Sequence, residues 1–205
     1  MPQPVPQLLP AQLVPGVGSL AGKTVYVSFS AEIVPKTTES LIAAMSNCAN
    51  QGAAEVRLLV STPGGNVMSG INLYNVLRAM PFRLVTHNVG NIDSIGNAVF
   101  LAGEERLACE QATFMFHGVG FDATPGMRLE EKFLRERLGS IVADQKRVAA
   151  IMAERTSLSA NQIRGFFREM KTKDAAYAVS AGIVHQIADV NIPVGAPIIS
   201  LVFQR

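Results

Sequence analysis

A serine hydroxyl becomes a useful nucleophile only when a neighbouring base takes its proton, and at neutral pH that base is most readily a histidine. This 205-residue chain has three: His87, His117 and His185. The serine best placed to use one is Ser94, in Gly90–Asn91–Ile92–Asp93–Ser94–Ile95–Gly96, between a strand and a helix start. There the first backbone N–H groups of the helix are unsatisfied and the dipole is positive, so negative charge developing beside the serine is stabilised. The same placement also suits a plain helix cap. Gly96 leaves room for a substrate or a neighbouring backbone to approach. His117 ends a strand and is followed by Gly118–Val119–Gly120, which would expose it at the strand's end, so it is the best base. His87 lies in the strand before the serine turn, where it could line the same cleft. His185 stands in an apolar segment and reads as a satisfied structural histidine.

A third segment, Ser61–Thr62–Pro63–Gly64–Gly65–Asn66, is again a strand-to-helix turn. Its paired glycines leave backbone amides uncovered, and amides aimed at a carbonyl oxygen would form an oxyanion hole. A tight turn needing positive φ would require the same residues. The segment is not a phosphate loop, because the Gly-Lys-Ser/Thr ending is missing.

These turns need elements to hold them. Thr24–Val25–Tyr26–Val27–Ser28–Phe29 reads as a strand, followed by a helix from Lys36 to Asn50 with apolar positions at Leu41, Ile42, Met45 and Cys48. A second unit runs from strand Val56–Ser61 to a helix from about Val67 to Met80. A third runs from strand Arg83–Val89 to a short helix from Ser94 to Ala102. Strands alternating with helices predict a mainly parallel sheet in an α/β domain. Arg106–Cys109 and Ala112–Phe116 read as two further short strands. From about 127 to 155 one long helix carries Leu134, Leu138, Ile141, Gln145, Val148 and Met152 in heptad spacing. That seam either packs on its own sheet or projects in part against another subunit. Ser159 with Gln162 forms a capping box, Asp174 caps a further short helix and Gly182 ends it. Ile183–Val190 is a plausible strand, and Ile198–Phe203 an edge strand. Residues 1–23 read as an irregular arm, and 24–205 as one domain.

Composition excludes several functions. A net charge of +2 with scattered Lys and Arg offers no stripe for phosphates, so nucleic acid is not an expected partner. Cys48 and Cys109, far apart, indicate neither a disulfide framework nor a zinc site, and fit a reducing compartment. No secretory signal or membrane span is expected, which suits a soluble cytoplasmic protein. The apolar fraction of 48% against 17% charged residues suggests surface buried between subunits. No metal or other cofactor is expected.

Taken in order, Ser61–Thr62–Pro63–Gly64–Gly65, Gly90 to Gly96 and Met115–Phe116–His117 resemble the Clp protease proteolytic subunit family. Its members have a Ser-Pro-Gly-Gly turn, a Gly-x-x-x-Ser-x-Gly nucleophile turn and a Met-x-His strand end. Ala178–Val179–Ser180–Ala181–Gly182–Ile183–Val184 is similar to the family's closing segment, and the long helix to its handle. The resemblance spans about Thr24 to Asp189. It implies a ClpP/crotonase-type fold of repeated ββα-like units and a serine endopeptidase cutting unfolded proteins or peptides. Ser94 would be the nucleophile, His117 the base, and the amides of Gly65 or Asn66 and of Ile95 the oxyanion hole. It also implies homo-oligomeric rings and an ATP-dependent unfoldase as possible partner. Met170 falls where the family has its triad aspartate, so Glu169, Asp174 or a Ser-His dyad are the alternatives. Asp93 stands where the family has a small residue, and the arm differs from the family's. The competing readings are a catalytically silent ring subunit and a crotonase-like acyl-CoA enzyme using Glu104 and Glu105.

Overall fold

The computed structural model describes residues 19–203, so most of the proposed arm lies outside the described residues. Strand β1 (Thr24–Ser30), helix α1 (Pro35–Asn50), strand β2 (Glu55–Thr62), helix α2 (Val67–Arg78) and strand β3 (Arg83–Asp93) build the first half. Alternation in β2 is complete: Val56, Leu58, Val60 and Thr62 are buried while the residues between them are partly exposed. Pro35 opens α1 at its first turn, where the missing N–H costs nothing. Asn66 caps α2, its side chain accepting from Ser69 N at 2.9 Å.

The second half contains α3 (Gly96–Phe100), β4 (Glu105–Ala108), β5 (Thr113–Phe116), α4 (Glu131–Arg155), α5 (Ala160–Arg168), β6 (Lys171–Asp174), α6 (Ala175–Ser180), β7 (Gln186–Ile187) and β8 (Ile198–Leu201). The capping box of Ser159 with Gln162, the Asp174 cap and the left-handed Gly182 after α6 are all present. Strand order is β6-β5-β3-β2-β1-β8, with β4 and β7 branching from β3. Every pairing is parallel except β5 with β6.

Three expectations are corrected. Strand β3 does not stop at Val89 but runs to Asp93, through a bulge in which Val60 pairs Asn88 and Thr62 pairs Ile92. Before the bulge β3 pairs β4, and after it β5. Gly90 marks the irregularity rather than a turn, since a Cβ there would meet the Ser61 hydroxyl at 2.9 Å. Second, α4 begins at Glu131, after the Pro125–Gly126 turn, rather than at 127. Third, only Gln186–Ile187 of the expected Ile183–Val190 strand pairs.

Two buried polar groups tie the second half down. Arg106, 4% exposed, donates to the carbonyls of Ile183, Gly103, Arg155 and Gly182, linking the end of α4 to the segment after α6. Burial, and then the nearby Arg155 charge, push its pKa down to about 10, which leaves it cationic at neutral pH. His87, which sequence reasoning allowed into the cleft, is instead buried with Nε2 on the Ala188 carbonyl at 2.9 Å. His185 accepts from the Arg106 N–H through Nδ1 at 3.1 Å, so it is satisfied in its neutral form.

Burial lowers the pKa of both His87 and His185 below the ordinary value. The unfolded chain therefore binds protons that the fold refuses. Their contribution is complete above the unfolded value of about 6.5 and is lost as pH falls through the depressed folded values. Melting temperature should drop between pH 7.5 and pH 5, and His87→Gln, which keeps a donor for Ala188, should flatten that drop. An equal slope in the variant would remove His87 as a cause.

Candidate active site

Ser94 follows β3 directly and precedes α3, and is the only described non-glycine residue with positive φ, at 55°. Left-handed backbone costs an L-residue about 1 kcal/mol, so something must hold it. Its N–H donates to the Met115 carbonyl at 2.9 Å, and its carbonyl accepts from Asn97 N at 3.1 Å. The hydroxyl makes no hydrogen bond among the described residues.

The Pro63–Gly64–Gly65 turn lies against this residue. Gly64 and Gly65 have φ of 87° and 139°. A Cβ on Gly64 would stand 2.7 Å from both the Asp93 carbonyl and the Ser94 Cβ, and one on Gly65 would run into the Ile33 carbonyl. Both glycines are thus required by close approach as well as by backbone angle. The amides divide into two groups. Asn66 N donates to Ile33 O at 2.7 Å and Gly64 N to Thr62 Oγ1 at 3.1 Å. Those of Gly65 and Ile95 have no partner among the described residues. Gly96 serves packing, since a Cβ there would meet the Thr62 side chain at 2.5 Å.

His117 follows β5. Its neighbour Phe116 stacks on Phe166 of α5 at 4.4 Å, and β6 pairs along β5 so that Lys171 faces Phe116. Nδ1 of His117 lies 2.7 Å from the Gly118 carbonyl. A carbonyl oxygen only accepts, so Nδ1 is the donor in this contact, and in the neutral ring Nε2 then carries the lone pair. Gly118 is needed because a Cβ would come within 2.5 Å of the Phe167 carbonyl.

These segments enclose a cleft of about 280 Å³ whose walls include Gly65, Ser94, Ile95, Asn97, His117 and Asp122, with Val67, Phe116, Phe121, Val148, Met152 and Phe167 supplying apolar surface. Ser94 and His117 share it without a hydrogen bond between them. Such looseness is common before substrate binds. Among the described residues, no group of three His, Cys, Asp or Glu is placed to hold a metal ion.

The carboxylates considered from sequence stand elsewhere. Glu169 pairs with Lys171 at the surface, which holds its carboxyl below the usual range. Asp174 caps α6, accepting from Tyr177 N at 2.7 Å, and in the ladder faces Thr113, at the far end of β5 from His117. Met170 is 75% exposed. Asp93 accepts from Asn91 Nδ2 at 2.7 Å and is not part of the cleft wall. Glu105 pairs with Arg83 and is in register with Val85, eight residues before Asp93, roughly 25 Å away along β3. Glu104 accepts from Leu84 N at the same end. Asp122, which sequence reasoning passed over, is the one carboxylate in the cleft wall. Its position five residues after His117, in a glycine-flanked loop, was the available signal.

The fold and cleft define an α/β domain with its cleft-lining turns at the carboxyl ends of parallel strands. Comparison with known proteins makes this specific. The Clp protease family model matches residues 17–191, and the chain belongs to that family. It is 26% identical over 141 residues to ATP-dependent Clp protease proteolytic subunit 2 of Corynebacterium diphtheriae, covering 66% of this chain and 67% of that protein. It is 24% identical over 174 residues to proteolytic subunit 3 of Rhizobium meliloti, covering 81% and 84%. A mutant of ClpP1 from Listeria monocytogenes superposes with a TM-score of 0.72 at 18% identity, over 80% of this chain and 91% of that one, and shows the shared fold.

Gly64→Ala should displace the Ser94 backbone, because its neighbours are backbone and Cβ atoms that cannot swing away. The expected result is loss of at least 100-fold in the rate at which a fluorophosphonate labels the folded protein. Wild-type labelling by Gly64→Ala would show that the turn does not set the serine's position.

Proposed function

We propose that this chain is a serine peptidase of the Clp type, with Ser94 as nucleophile and His117 as general base. The observation carrying the reading is the left-handed Ser94, in one cleft with His117 and beside two uncommitted amides. In the proposed mechanism His117 Nε2 takes the Ser94 proton as Oγ attacks the scissile carbonyl. The Gly65 and Ile95 N–H groups receive the oxyanion, each contributing about 3 kcal/mol of transition-state stabilisation. The imidazolium returns the proton to the leaving amine, and water repeats the cycle on the acyl-enzyme. The Gly118 carbonyl orients His117, and Asp122 is the carboxylate that compensates the imidazolium charge. The apolar wall from Val67 to Phe167 would receive a side chain of an unfolded protein or peptide.

Treatment of wild type and Ser94→Ala with a fluorophosphonate, read by intact mass beside hydrolysis of a fluorogenic peptide, tests this directly. One adduct and turnover in wild type, both absent from the mutant, are expected. An assembled protein with neither would favour a silent ring subunit. In the same assay Asp122→Asn should lower kcat about tenfold, whereas Glu169→Ala and Asp174→Ala should leave it near wild type; the reverse order would return the role to Glu169 or Asp174.

The assembly reading rests on α4. Val148, Ile151 and Met152 are buried, while Leu134 and Leu138 are 43% and 61% exposed, with Leu129 and Val142 also exposed. Half of the heptad seam thus packs on its own domain and half projects. We take the projecting half to meet another subunit in a homo-oligomeric ring, the substrate chamber lying inside and an ATP-dependent unfoldase outside. Leu134→Glu with Leu138→Glu should halve the mass or more by light scattering while leaving a cooperative melt. A double variant with unchanged mass would assign the contact elsewhere. Among the described residues no helix is long and apolar enough to cross a membrane. On family membership we place the protein in the cytoplasm.

A further inference from the structure

Asn97 is 1% exposed and stands in the cleft wall as the second residue of α3, yet nothing in the mechanism above uses it. Its Nδ2 lies 3.0 Å from the Ser94 carbonyl, 2.9 Å from the Met115 carbonyl and 3.4 Å from the Ile92 carbonyl. Two N–H groups therefore serve three acceptors, one on each part of the site: the end of β3, the nucleophile, and the strand that ends in the base. Its Oδ1 is buried with no partner among the described residues. An orphaned buried acceptor destabilises the fold, so an apolar side chain of the same shape would fill this position at less cost if packing were the only requirement. The donor end is what an amide adds.

The acceptors explain why donors are needed. Ser94 is held in left-handed backbone from its N–H side by Met115 O alone. On its carbonyl side, Asn97 supplies both the main-chain and the side-chain donor. The Met115 carbonyl in turn receives Ser94 N and Asn97 Nδ2, both at 2.9 Å, which uses both of its lone pairs. Met115 precedes His117 by two residues in a stiff strand. One side chain thus closes a bracket from Ser94 to the strand that carries the base.

We infer that Asn97 is a positioning residue that fixes the separation of Ser94 and His117, through the Ser94 and Met115 carbonyls. The inference rests on the Ser94–His117 reading for its catalytic consequence, but the bracket itself is measurable without activity. Misplacement of reacting groups by about 1 Å costs on the order of 100-fold in rate.

The test compares full-length wild type with Asn97→Leu, which approximates the shape and removes the donors and the orphaned acceptor together, and with Asn97→Ala, which removes them with less bulk. Three quantities are read: hydrogen–deuterium exchange of the peptide spanning residues 91–100, the fluorophosphonate labelling rate, and kcat and KM on a fluorogenic peptide. We expect a cooperative melt and wild-type assembly in at least one variant. In it, exchange across 91–100 should be about tenfold or more faster, labelling and kcat should fall about 100-fold, and KM should stay within about twofold. A folded variant with wild-type exchange and labelling overturns the inference. So does one in which KM alone changes, or in which the melting temperature falls while folded molecules label at the wild-type rate. If both variants fail to fold, Asn97 is a determinant of stability and the inference is likewise overturned. Wild type that neither labels nor turns over defeats the Ser94 reading instead; the exchange arm then still decides whether Asn97 holds the bracket.

Discussion

The cleft depends on keeping one L-residue, Ser94, in left-handed backbone at the end of a strand. That conformation turns the chain from β3 into α3 beside the cleft, but it is disfavoured by about 1 kcal/mol. The surroundings offset the cost from several directions. Met115 O takes the amide, Asn97 holds the carbonyl, and Gly64 of the preceding turn lets the β2 end lie against the serine without a side chain between them. The contacts from Met115 and Gly64 are distant in sequence, so the serine's geometry is set only when β2, β3 and β5 have come together.

The bulge in β3 makes that convergence possible. With β2 as a continuous partner, β3 gains two residues between Asn88 and Ile92, bends, and exchanges β4 for β5. Local hydrogen bonds absorb the irregularity: Ser61 Oγ donates to Asn91 Oδ1 at 2.8 Å, Gly90 N to Asn88 Oδ1 at 3.0 Å, and Asn88 Nδ2 to Thr113 O at 2.9 Å. Without the bend, Met115 would not lie beside Ser94, and the strand ending in His117 would run past a different neighbour. A distortion of the ladder, not an extra element, brings the two sequence-distant turns together.

Much of this was legible before the structure because the signals were local and periodic. The β-branched stretch at Val25–Val27, the alternation through Val56–Val60 and the caps at Ser159 and Asp174 mark elements that formed where expected. What escaped was non-local. Strand β6, Lys171–Asp174, is polar and charged, as befits an exposed edge, and exists only because β5 pairs with it. The glycine inside β3 read as a turn because a bulge and a turn share composition. At the site, Ser94 and His117 could be chosen by their turns, and the structure puts both in one cleft. Asn66 could not be separated from Gly65 by sequence, since only the pairing of Ile33 with Gly65 shows which amide is occupied. The acid question is similar: the family resemblance pointed toward residues 169–174, whereas the carboxylate that lines the cleft is Asp122, in the loop after His117.

Helix α4 links these local arrangements to the rest of the molecule. Its buried end contributes Val148 and Met152 to the cleft, and its last turn is fastened by Arg106 through the Arg155 carbonyl. Its other end projects. Phe121, a cleft residue, packs edge-on against Phe133 at 6.0 Å, and Arg137 stands over both rings, 6.0 and 5.0 Å from their centroids. The loop carrying Asp122 is therefore anchored not to the sheet but to the part of α4 that the domain leaves uncovered. One continuous helix therefore carries both a wall of the cleft, at Val148 and Met152, and the exposed apolar positions Leu134 and Leu138.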